Sequence, residues 1–394
     1  MQRTAKHTLS SIIPSAARMS APSAESSETR SSPIRVEFTA LPPVAALQQE
    51  WRQLEAHSEC SIFTSWTWIG CWIGLLDGRA ELRLLRALRG GRTVGLGLLA
   101  KFTQRRHGVV VSRTLRLHAT GQPEFDILTI ECNGFLVERD GADLTHAAMI
   151  DHLLDAEPDW DEAVFDGLSR MPPWPSSGPR VLCRPKICHH IDLATVRANQ
   201  GEYLSLLGRN TRSKIRRSIR EFEKLGSIQV RCAADSAQAL EFLDGLKSLH
   251  QLYWIARGQP GAFAKEFFDR FHRRLVTDGI ARGEIQLLAI DAGAHRLGYV
   301  YNFVHRGRVC NYQTGFNYGL IEHHSRPGLV AHACSVIHNA ALGHRIYDLL
   351  AGDARYKREL GTAMTEMFWV VLQRNRVRFR LEDAARSLRQ FARR

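Results

Sequence analysis

Apolar residues between positions 184 and 394 alternate between a helical period and a strand period. Ile215, Ile219 and Phe222 are four and three residues apart, which predicts a helix over 209–224 that ends before Gly226. A short apolar stretch directly after it predicts a strand over 228–232. The chain therefore switches repeatedly between helices and strands, and the order of these elements indicates the fold.

The second half is predicted to hold a strand, two helices, three strands, a helix, a strand, a short helix and a last strand. The two helices after the strand at 228–232 end at Gly258 and Gly279. The later elements are strands at 284–291, 296–305 and 308–317, a helix at 329–342, a strand at 345–350, a short turn or helix at 353–360 and a strand at 365–373. The Arg306-Gly307 corner makes the last two of the three strands a hairpin.

The first half repeats this order of elements, although the two sequences do not align visibly. Its predicted elements are a strand at 34–40, helices at 44–58 and 64–77, strands at 80–89, 92–103 and 108–118, a helix at 143–158 and strands at 161–168 and 187–193. We infer an internal duplication and an α+β fold with a mixed sheet in each half. A doubly wound nucleotide-binding fold is not expected, because it needs regular alternation of strand and helix.

Proline and serine content sets the expected domain borders. We expect a disordered tail at 1–33, a first domain at 34–170, a Pro-rich connection at 171–186, a second domain at 187–380 and a basic terminal helix at 381–394. The Arg/Ser-rich tail leaves two interpretations open, a transit peptide or a true start at Met19.

Composition places the chain among globular proteins. Of its 394 residues, 44% are hydrophobic and 24% are charged, which excludes a wholly disordered or fibrous chain. Its apolar runs fall short of the roughly 18–20 residues of a membrane span. The eight cysteines include no C-x-x-C pair, so neither a zinc ribbon nor a redox motif is indicated.

The net charge of +13 is unevenly distributed. Residues 209–224 carry +5, residues 374–394 carry +6 and residues 79–118 carry +9, whereas residues 119–170 carry −11. This favours local contact with phosphate or acidic groups. Aromatic residues do not alternate with the basic runs, so we do not expect a dedicated nucleic-acid binder.

Three segments carry a resemblance to a known family: RNTRSKIRRSIREFEKLG from residue 209, LHQLYWIARGQPGAF from residue 249 and YDLLAGDARYKRELG from residue 347. Together with the order of elements they resemble the GNAT acyltransferase fold, present twice, and in particular the CelD-type acetyltransferases associated with bacterial cellulose biosynthesis. That family is distantly similar to the FemABX peptidyltransferases. The resemblance covers roughly residues 45–373 and is strongest over 203–361. It implies that the second half performs the chemistry, with the substrate between the halves.

The resemblance also implies where an acyl donor binds. The pantetheine arm would lie along the strand at 308–317, and the pyrophosphate would lie at the start of the following helix, where the helix dipole favours anions. The residues at these positions are Tyr312, Gln313, Thr314, Arg326, Gly328 and Leu329. Related enzymes have more glycine here, and Pro327 removes one N–H donor, which Arg326 would replace in part. A plain helix-capping turn is the alternative.

A dense polar cluster follows the strand at 345–350. Tyr356 lies where many GNAT enzymes have a tyrosine that protonates the leaving thiolate. Lys357 would bind an acidic acceptor or stabilise the oxyanion. Asp353 is a further catalytic candidate and Asp348 a substrate-binding one. In the alternative interpretation these residues and Arg355 form a structural ion-pair network.

The remaining candidates lie on two helices. His250 is a candidate general base or a hydrogen-bonded core residue, and Trp254 beside it is a candidate substrate contact. Arg212 and Arg216 share one row of the basic helix, which is either a solvated face or a contact for an anionic acceptor. The histidines at 323, 324, 332 and 338 lack ligand spacing, so no metal is expected.

The sequence thus predicts an acyltransferase, and an N-acetyltransferase in particular, that uses acetyl-CoA or another acyl-CoA. The acceptor would be an amine or hydroxyl of an anionic sugar or cell-envelope precursor. Aminoacyl transfer from aminoacyl-tRNA and a non-catalytic scaffold in exopolysaccharide assembly are the alternatives. The expected location is the cytoplasm, either free or in peripheral contact with the inner membrane.

Overall fold

Thirteen strands of the described chain form one mixed sheet that runs through both halves. The computed structural model describes residues 32–106, 108–174, 178–321 and 325–391, so the predicted tail lies almost wholly outside the described residues. The strands are β1 (Ile34–Ala40), β2 (Leu82–Arg89), β3 (Arg92–Arg106), β4 (Val110–Leu117), β5 (Leu136–Val137), β6 (Glu162–Leu168), β7 (Arg180–Asp192), β8 (Ile228–Cys232), β9 (Ile285–Ala292), β10 (His295–His305), β11 (Arg308–Phe316), β12 (Ile346–Ala351) and β13 (Ala363–Gln373). The helices are α1 (Val44–His57), α2 (Trp66–Leu76), α3 (Ala142–Asp155), α4 (Leu193–Ala198), α5 (Arg209–Glu223), α6 (Ser236–Ile255), α7 (Glu266–Gly279), α8 (Pro327–Ala341), α9 (Arg355–Leu360) and α10 (Val377–Phe391).

The two halves share one order of elements, as the sequence predicts. The first half runs β1-α1-α2-β2-β3-β4-α3-β6, with the short β5 paired to β3, and the second runs β8-α6-α7-β9-β10-β11-α8-β12. Most pairs are antiparallel, but β4 is parallel to β6 and β11 is parallel to β12. Each parallel ladder is only three pairs long, and β11 continues to Phe316 beyond its last pair, Cys310↔Asp348. Each half therefore has a point where two central strands diverge.

The last strand of the chain completes the sheet of the first half. The strand order is β1-β2-β3-β4-β6-β13-β7-β12-β11-β10-β9-β8, which places β13 between β6 and β7. In turn β7 pairs with β12 of the second half, from Ile346↔Asp192 to Ala351↔Cys188. The halves thus share a continuous hydrogen-bonded sheet.

Strand β7 begins at Arg180, so part of the predicted Pro-rich connection at 171–186 is regular β structure. Pro185 lies opposite Phe368 of β13, before the stretch of β7 that pairs with β12. A residue without an N–H is tolerated there because one edge of the strand is open.

The largest core cluster contains residues of both halves. Trp68 of α2 is fully buried and packs edge-on against Phe271 of α7, with ring centroids 4.7 Å apart. The other face of each half has its own cluster, centred on residues such as Phe165 in the first half and Tyr347 in the second. The shared cluster joins the two halves through side chains as well as backbone.

The oppositely charged segments of the first half neutralise each other across its sheet. Arg106 pairs with Glu162, and Arg116 pairs with Asp166 at 2.7 Å. The +9 and −11 segments therefore carry internal ion pairs, and much of the unusual charge pattern is structural.

The C-terminal helix starts at Val377, four residues before its predicted start, and rests on the first half. Phe379 is 3% exposed, and Arg376 binds the buried Asp161 at 3.2 Å. Glu382 accepts a hydrogen bond from Arg106 at 3.2 Å. These contacts give this basic segment a docking role within the chain. Among the described residues no helix has the length and apolar character needed to span a bilayer.

Candidate active site

A cavity of about 910 Å³ opens where β11 and β12 diverge. It is bounded by β11, by the start of α8, by the end of α6 and the loop after it, by α9, and by a loop of the first half at 127–131. Ten of the predicted site residues line it: His250, Trp254, Tyr312, Gln313, Thr314, Arg326, Gly328, Leu329, Tyr356 and Lys357. The structure therefore brings most of the predicted candidates into one space.

A β-bulge at Tyr312 shapes the strand wall of this cavity. In the ladder between β10 and β11, Tyr301 faces Gln313 and Asn302 faces Asn311, which makes Tyr312 an extra residue. Bulges bend a strand and increase its local twist. Further along, Gly315 touches α6 so closely that a Cβ atom would lie 2.4 Å from the carbonyl oxygen of Leu246. Beyond Cys310 the edge of β11 is free of β12 and faces the cavity.

The N-terminus of α8 forms a second wall. Pro327 occupies its first turn, and no side chain of the described residues caps the helix. Gly328 and Leu329 face the cavity, and the first backbone N–H groups of a helix lack intrahelical acceptors. The backbone N–H of Arg326 donates to Ser218 of α5 at 3.1 Å, whereas its exposed guanidinium makes no ion pair within the described ranges. This end of the cavity is suited to an anion.

A second bulge lies at the end of β12. Asp348 faces His190 and Ala351 faces Cys188, so β12 has one residue more than β7 in this stretch. Leu350 adopts a left-handed conformation with φ of 63°, and Asp348 accepts its N–H at 2.8 Å. Non-glycine residues in this conformation cost free energy and occur often at functional sites.

Lys357 and Glu131 meet at this bulge. The Nζ of Lys357 donates to the carbonyl oxygens of Ala351 at 2.6 Å and Leu350 at 3.2 Å. The Oε2 of Glu131 accepts the N–H of Ala351 at 2.6 Å. Burial lowers the pKa of Lys357, and the carboxylates of Glu131 and Asp348 oppose that shift.

Glu131 is the most perturbed carboxyl at the cavity. It is 8% exposed, and its burial raises its pKa to about 7, although the Ala351 N–H and the Lys357 ammonium favour the charged form. A carboxyl that titrates near neutral pH can take up and release protons under physiological conditions. Sequence reasoning missed Glu131 because it lies in an irregular loop of the other half, and no local pattern marks it.

Tyr356 stacks on His332 of α8, with ring centroids 5.2 Å apart and an interplanar angle of 14°. Burial raises the pKa of Tyr356 to about 12, and the Glu131 carboxylate adds to the shift. The phenol is therefore protonated at neutral pH. Its hydroxyl makes no hydrogen bond to any described residue, which leaves it free to face a ligand.

His250 lines the cavity with both ring nitrogens engaged. Its Nε2 accepts the indole N–H of Trp254 at 2.9 Å, and its Nδ1 lies 3.2 Å from Oε1 of Gln251. Burial lowers the pKa of His250, which suits a neutral ring that donates through Nδ1. The geometry favours the hydrogen-bonded core alternative, in which His250 positions Trp254 at the cavity wall.

Four predicted site residues lie outside the lining of this cavity. Asp348 is 3% exposed and binds Arg308 at 2.6 Å, and Asp353 binds His189 at 3.1 Å and Arg358 at 2.7 Å. The last two are Arg212 and Arg216 of α5.

Helix α5 turns a different face to the cavity. Its Lys214 lines the space and pairs with Glu359 of α9 at 2.9 Å. Arg212 and Arg216 lie two residues to either side of Lys214, which at 100° per residue places them on the opposite face of the helix. The sequence pattern identified the basic helix but not which of its faces is inward.

One group of possible metal ligands is present among the described residues. Glu55, Cys60 and His305 place one ligand atom each within 4.8 Å of one another, and Cys60 Sγ lies 3.2 Å from His305 Nε2. Burial raises the pKa of the Cys60 thiol to about 12, which opposes the thiolate that a metal needs. The histidines at 323 and 324 lie outside the described residues, and His332 is occupied by its stacking on Tyr356.

Residues 209–358 match the family model described as an acetyltransferase (GNAT) domain. This range contains every lining residue of the cavity except those from the first-half loop and Glu359. A comparison with curated proteins finds no significant match.

Solved structures share this fold over most of the chain. FemX has 10% sequence identity and a TM-score of 0.50, over 85% of this chain and 96% of that chain. L-PGS from Bacillus licheniformis has 12% identity and a TM-score of 0.52, over 86% of this chain and 94% of that chain. At such identities the likeness concerns the fold. The fold is thus α+β with two tandem GNAT-like domains, as predicted, whereas the narrower CelD-type resemblance stays a prediction.

Proposed function

We propose that this protein is an acyltransferase that moves an acyl group from a thioester donor to an amine or hydroxyl. The observation that carries the proposal is the cavity at the divergence of β11 and β12, since a free strand edge, a helix N-terminus and Tyr356 surround one space. The acetyltransferase domain match over residues 209–358 supports the same reaction class.

The donor in this proposal is an acyl-CoA, with acetyl-CoA first. The amides of its pantetheine arm would pair with the backbone of β11 at Tyr312, Gln313 and Thr314, where β12 has left the ladder. The pyrophosphate would bind the N–H groups of Gly328 and Leu329. The exposed guanidinium of Arg326 would supply the charge that a glycine-rich loop provides through backbone donors.

The chemistry is direct transfer within a complex of donor and acceptor. The acceptor nitrogen or oxygen attacks the thioester carbonyl, the carbon–sulfur bond breaks, and the leaving thiolate takes a proton from Tyr356. A phenol suits this step because it carries its proton at neutral pH and can donate it as negative charge develops on the sulfur. Lys357 lines the same cavity and would stabilise negative charge on the tetrahedral intermediate.

The acceptor class follows from the CelD-type resemblance. We propose an amine or hydroxyl of an anionic sugar or cell-envelope precursor, modified during exopolysaccharide synthesis. The reaction would take place in the cytoplasm, either in solution or at the surface of the inner membrane.

Aminoacyl transfer from aminoacyl-tRNA is the second candidate. Arg216 and Arg220 of α5 are exposed outside the lining of the cavity, where they could follow a phosphate backbone. The donor loop with its single glycine, Gly328, also fits a donor other than coenzyme A.

Titration calorimetry with acetyl-CoA and with free pantetheine tests the donor site. We expect Arg326→Ala to weaken acetyl-CoA binding about tenfold, the effect of losing a hydrogen bond to a charged group, and to leave pantetheine binding unchanged. Gly328→Glu should abolish acetyl-CoA binding for two reasons. The new Cβ atom would lie only 3.0 Å from the Phe316 ring, and the carboxylate would repel the phosphates of the donor. Arg270→Ala, an exposed change on α7, is the control.

The same measurements separate the alternatives. A wild-type protein that binds no acyl-CoA but retains aminoacyl-tRNA would support the second candidate. A protein that binds neither would indicate the non-catalytic scaffold.

A further inference from the structure

Glu131 lies between two cavities. It lines the donor cavity, and together with Thr129 it also lines a second cavity of about 490 Å³. The second cavity opens at the divergence of β4 and β6, and its lining includes His118 directly after β4 and Asp166 of β6. The two spaces therefore occupy corresponding positions in the two halves and share a wall.

The second cavity combines aromatic faces with polar groups. Trp72 and Phe125 are almost fully buried beside it, and Lys186 lies over the Trp369 ring with its Nζ 3.7 Å from the ring centroid. The ammonium of Lys186 has no carboxylate partner among the residues that the structure describes. Aromatic faces beside polar groups suit one sugar ring, and Lys186 would bind an acidic substituent on it, since Asp126 and Asp166 of the same lining both pair with Arg116. The space is about half that of the donor cavity.

We propose that the second cavity holds the acceptor and that Glu131, supplied by the first half, accepts the acceptor's proton as the acyl group passes from the donor to the acceptor. This inference rests on the proposed acyltransferase function. In this proposal the first half binds the acceptor and supplies one catalytic group, whereas the second half binds the donor.

The contacts of Glu131 fit a base at this position. Its Oε2 is fixed by the Ala351 N–H, and its Oε1 accepts no hydrogen bond from the described residues. The charged groups that face it are Lys357 of α9, Asp348 of β12 and Lys186 of β7. Burial outweighs the two lysines and raises the pKa of Glu131 to about 7, which matches a group that must be ionised before each turnover and protonated after it.

The proton balance closes without another reactant. The acceptor N–H or O–H proton moves to Glu131 as the new bond to the acyl carbon forms. The thiolate released from that carbon takes the proton of Tyr356, and Glu131 and Tyr356 return to their starting states by exchange with solvent.

The first test compares Glu131→Gln with wild type in acetyl transfer from acetyl-CoA to glucosamine 6-phosphate and to glucosamine. Glutamine retains an oxygen for the Ala351 N–H but takes no proton. We expect kcat to fall about 10²- to 10⁴-fold, the range of general base catalysis, with the acetyl-CoA Kd unchanged. The wild-type rate should fall as pH drops below about 7. The residual rate of the Glu131→Gln variant should not show this decrease. Glu241→Gln, exposed on α6, should behave as wild type.

The second test fills the acceptor cavity. Ala119 is half-buried in its lining, and Ala119→Leu should raise the KM for the sugar while the acetyl-CoA Kd stays constant. Ala147→Leu is the matched control, since Ala147 is half-buried on α3 and lies outside the linings of both cavities.

The outcomes separate this inference from the function on which it rests. Full activity of Glu131→Gln with an unchanged pH profile would overturn the base assignment alone. Acetyl-CoA binding without acetylation of either sugar would overturn the acceptor class and leave the donor site standing. Absence of acyl-CoA binding in the wild-type protein would overturn both proposals.

Discussion

Glu131 and Lys357, which belong to different halves, bind the backbone of the same residue: Glu131 accepts the N–H of Ala351 at 2.6 Å, and Lys357 donates to the Ala351 carbonyl oxygen at 2.6 Å. A buried carboxyl and a half-buried amine are thus fixed on either side of one residue of the β12 bulge. The protonation of Glu131 and Lys357 therefore depends on the contact between the two halves.

Stability should depend on pH through Glu131. Its folded-state pKa of about 7 lies above the ordinary value of 4.5, so between these values the folded protein retains a proton that the unfolded chain loses. The contribution of Glu131 is therefore fully present below pH 4.5 and is lost as pH rises through 7. The loss is about 3 kcal/mol for a shift of this size.

Urea unfolding at pH 5 and pH 8 measures this effect. Because glutamine does not titrate, only the wild type should lose this stability. The free energy of unfolding of Glu131→Gln minus that of wild type should therefore be larger at pH 8 than at pH 5. Glu241→Gln should show no such increase. The same difference in unfolding free energy between Glu131→Gln and wild type at pH 5 and at pH 8 would contradict a raised pKa of Glu131.

Tyr356→Phe should lower kcat about 10²-fold or more with the acetyl-CoA Kd unchanged, because phenylalanine preserves the stacking on His332 and removes the proton. Tyr299→Phe, which changes a tyrosine outside the cavity lining, is the control. Steady-state assays with thiol detection give the rates, and retention of full activity by Tyr356→Phe would remove this residue from the mechanism.

Gly315→Ala should destabilise the protein by about 1–3 kcal/mol, because its Cβ atom would lie 2.4 Å from the Leu246 carbonyl oxygen and would force β11 away from α6. The same movement should weaken binding of acetyl-CoA. Gly319→Ala is the matched control, since its nearest atom would lie at 3.8 Å. The unfolding free energy in urea compares the two variants, and equal stability would argue against the close approach.

Trp68→Ala should destabilise both halves at once. The side chain is fully buried between Phe271, Phe303 and Tyr312, and removing it leaves a cavity that costs about 3–5 kcal/mol. Scanning calorimetry should show a single transition at a lower Tm, because the core cluster and the sheet both cross the halves. Two separated transitions would mean that the halves unfold independently.

Local patterns were sufficient for most of the elements. The spacing of Ile215, Ile219 and Phe222 and the glycines at helix ends predicted α5 and the order of strands around it, because periodicity and helix termination depend on neighbouring residues. The motif after β12 likewise led to Tyr356 and Lys357, which line the cavity.

The sequence by itself therefore determined the α+β class, the repeated order of elements and ten of the residues that line the cavity between β11 and β12. Only the tertiary structure decided that β13 crosses into the sheet of the first half, that Lys214 and not Arg212 faces the cavity, and that Glu131 enters the site from the other half. Each of these depends on contacts between residues far apart in the chain. Glu131 and Ala351 are 220 positions apart, and the burial that raises the pKa of Glu131 exists only once the two halves have packed together.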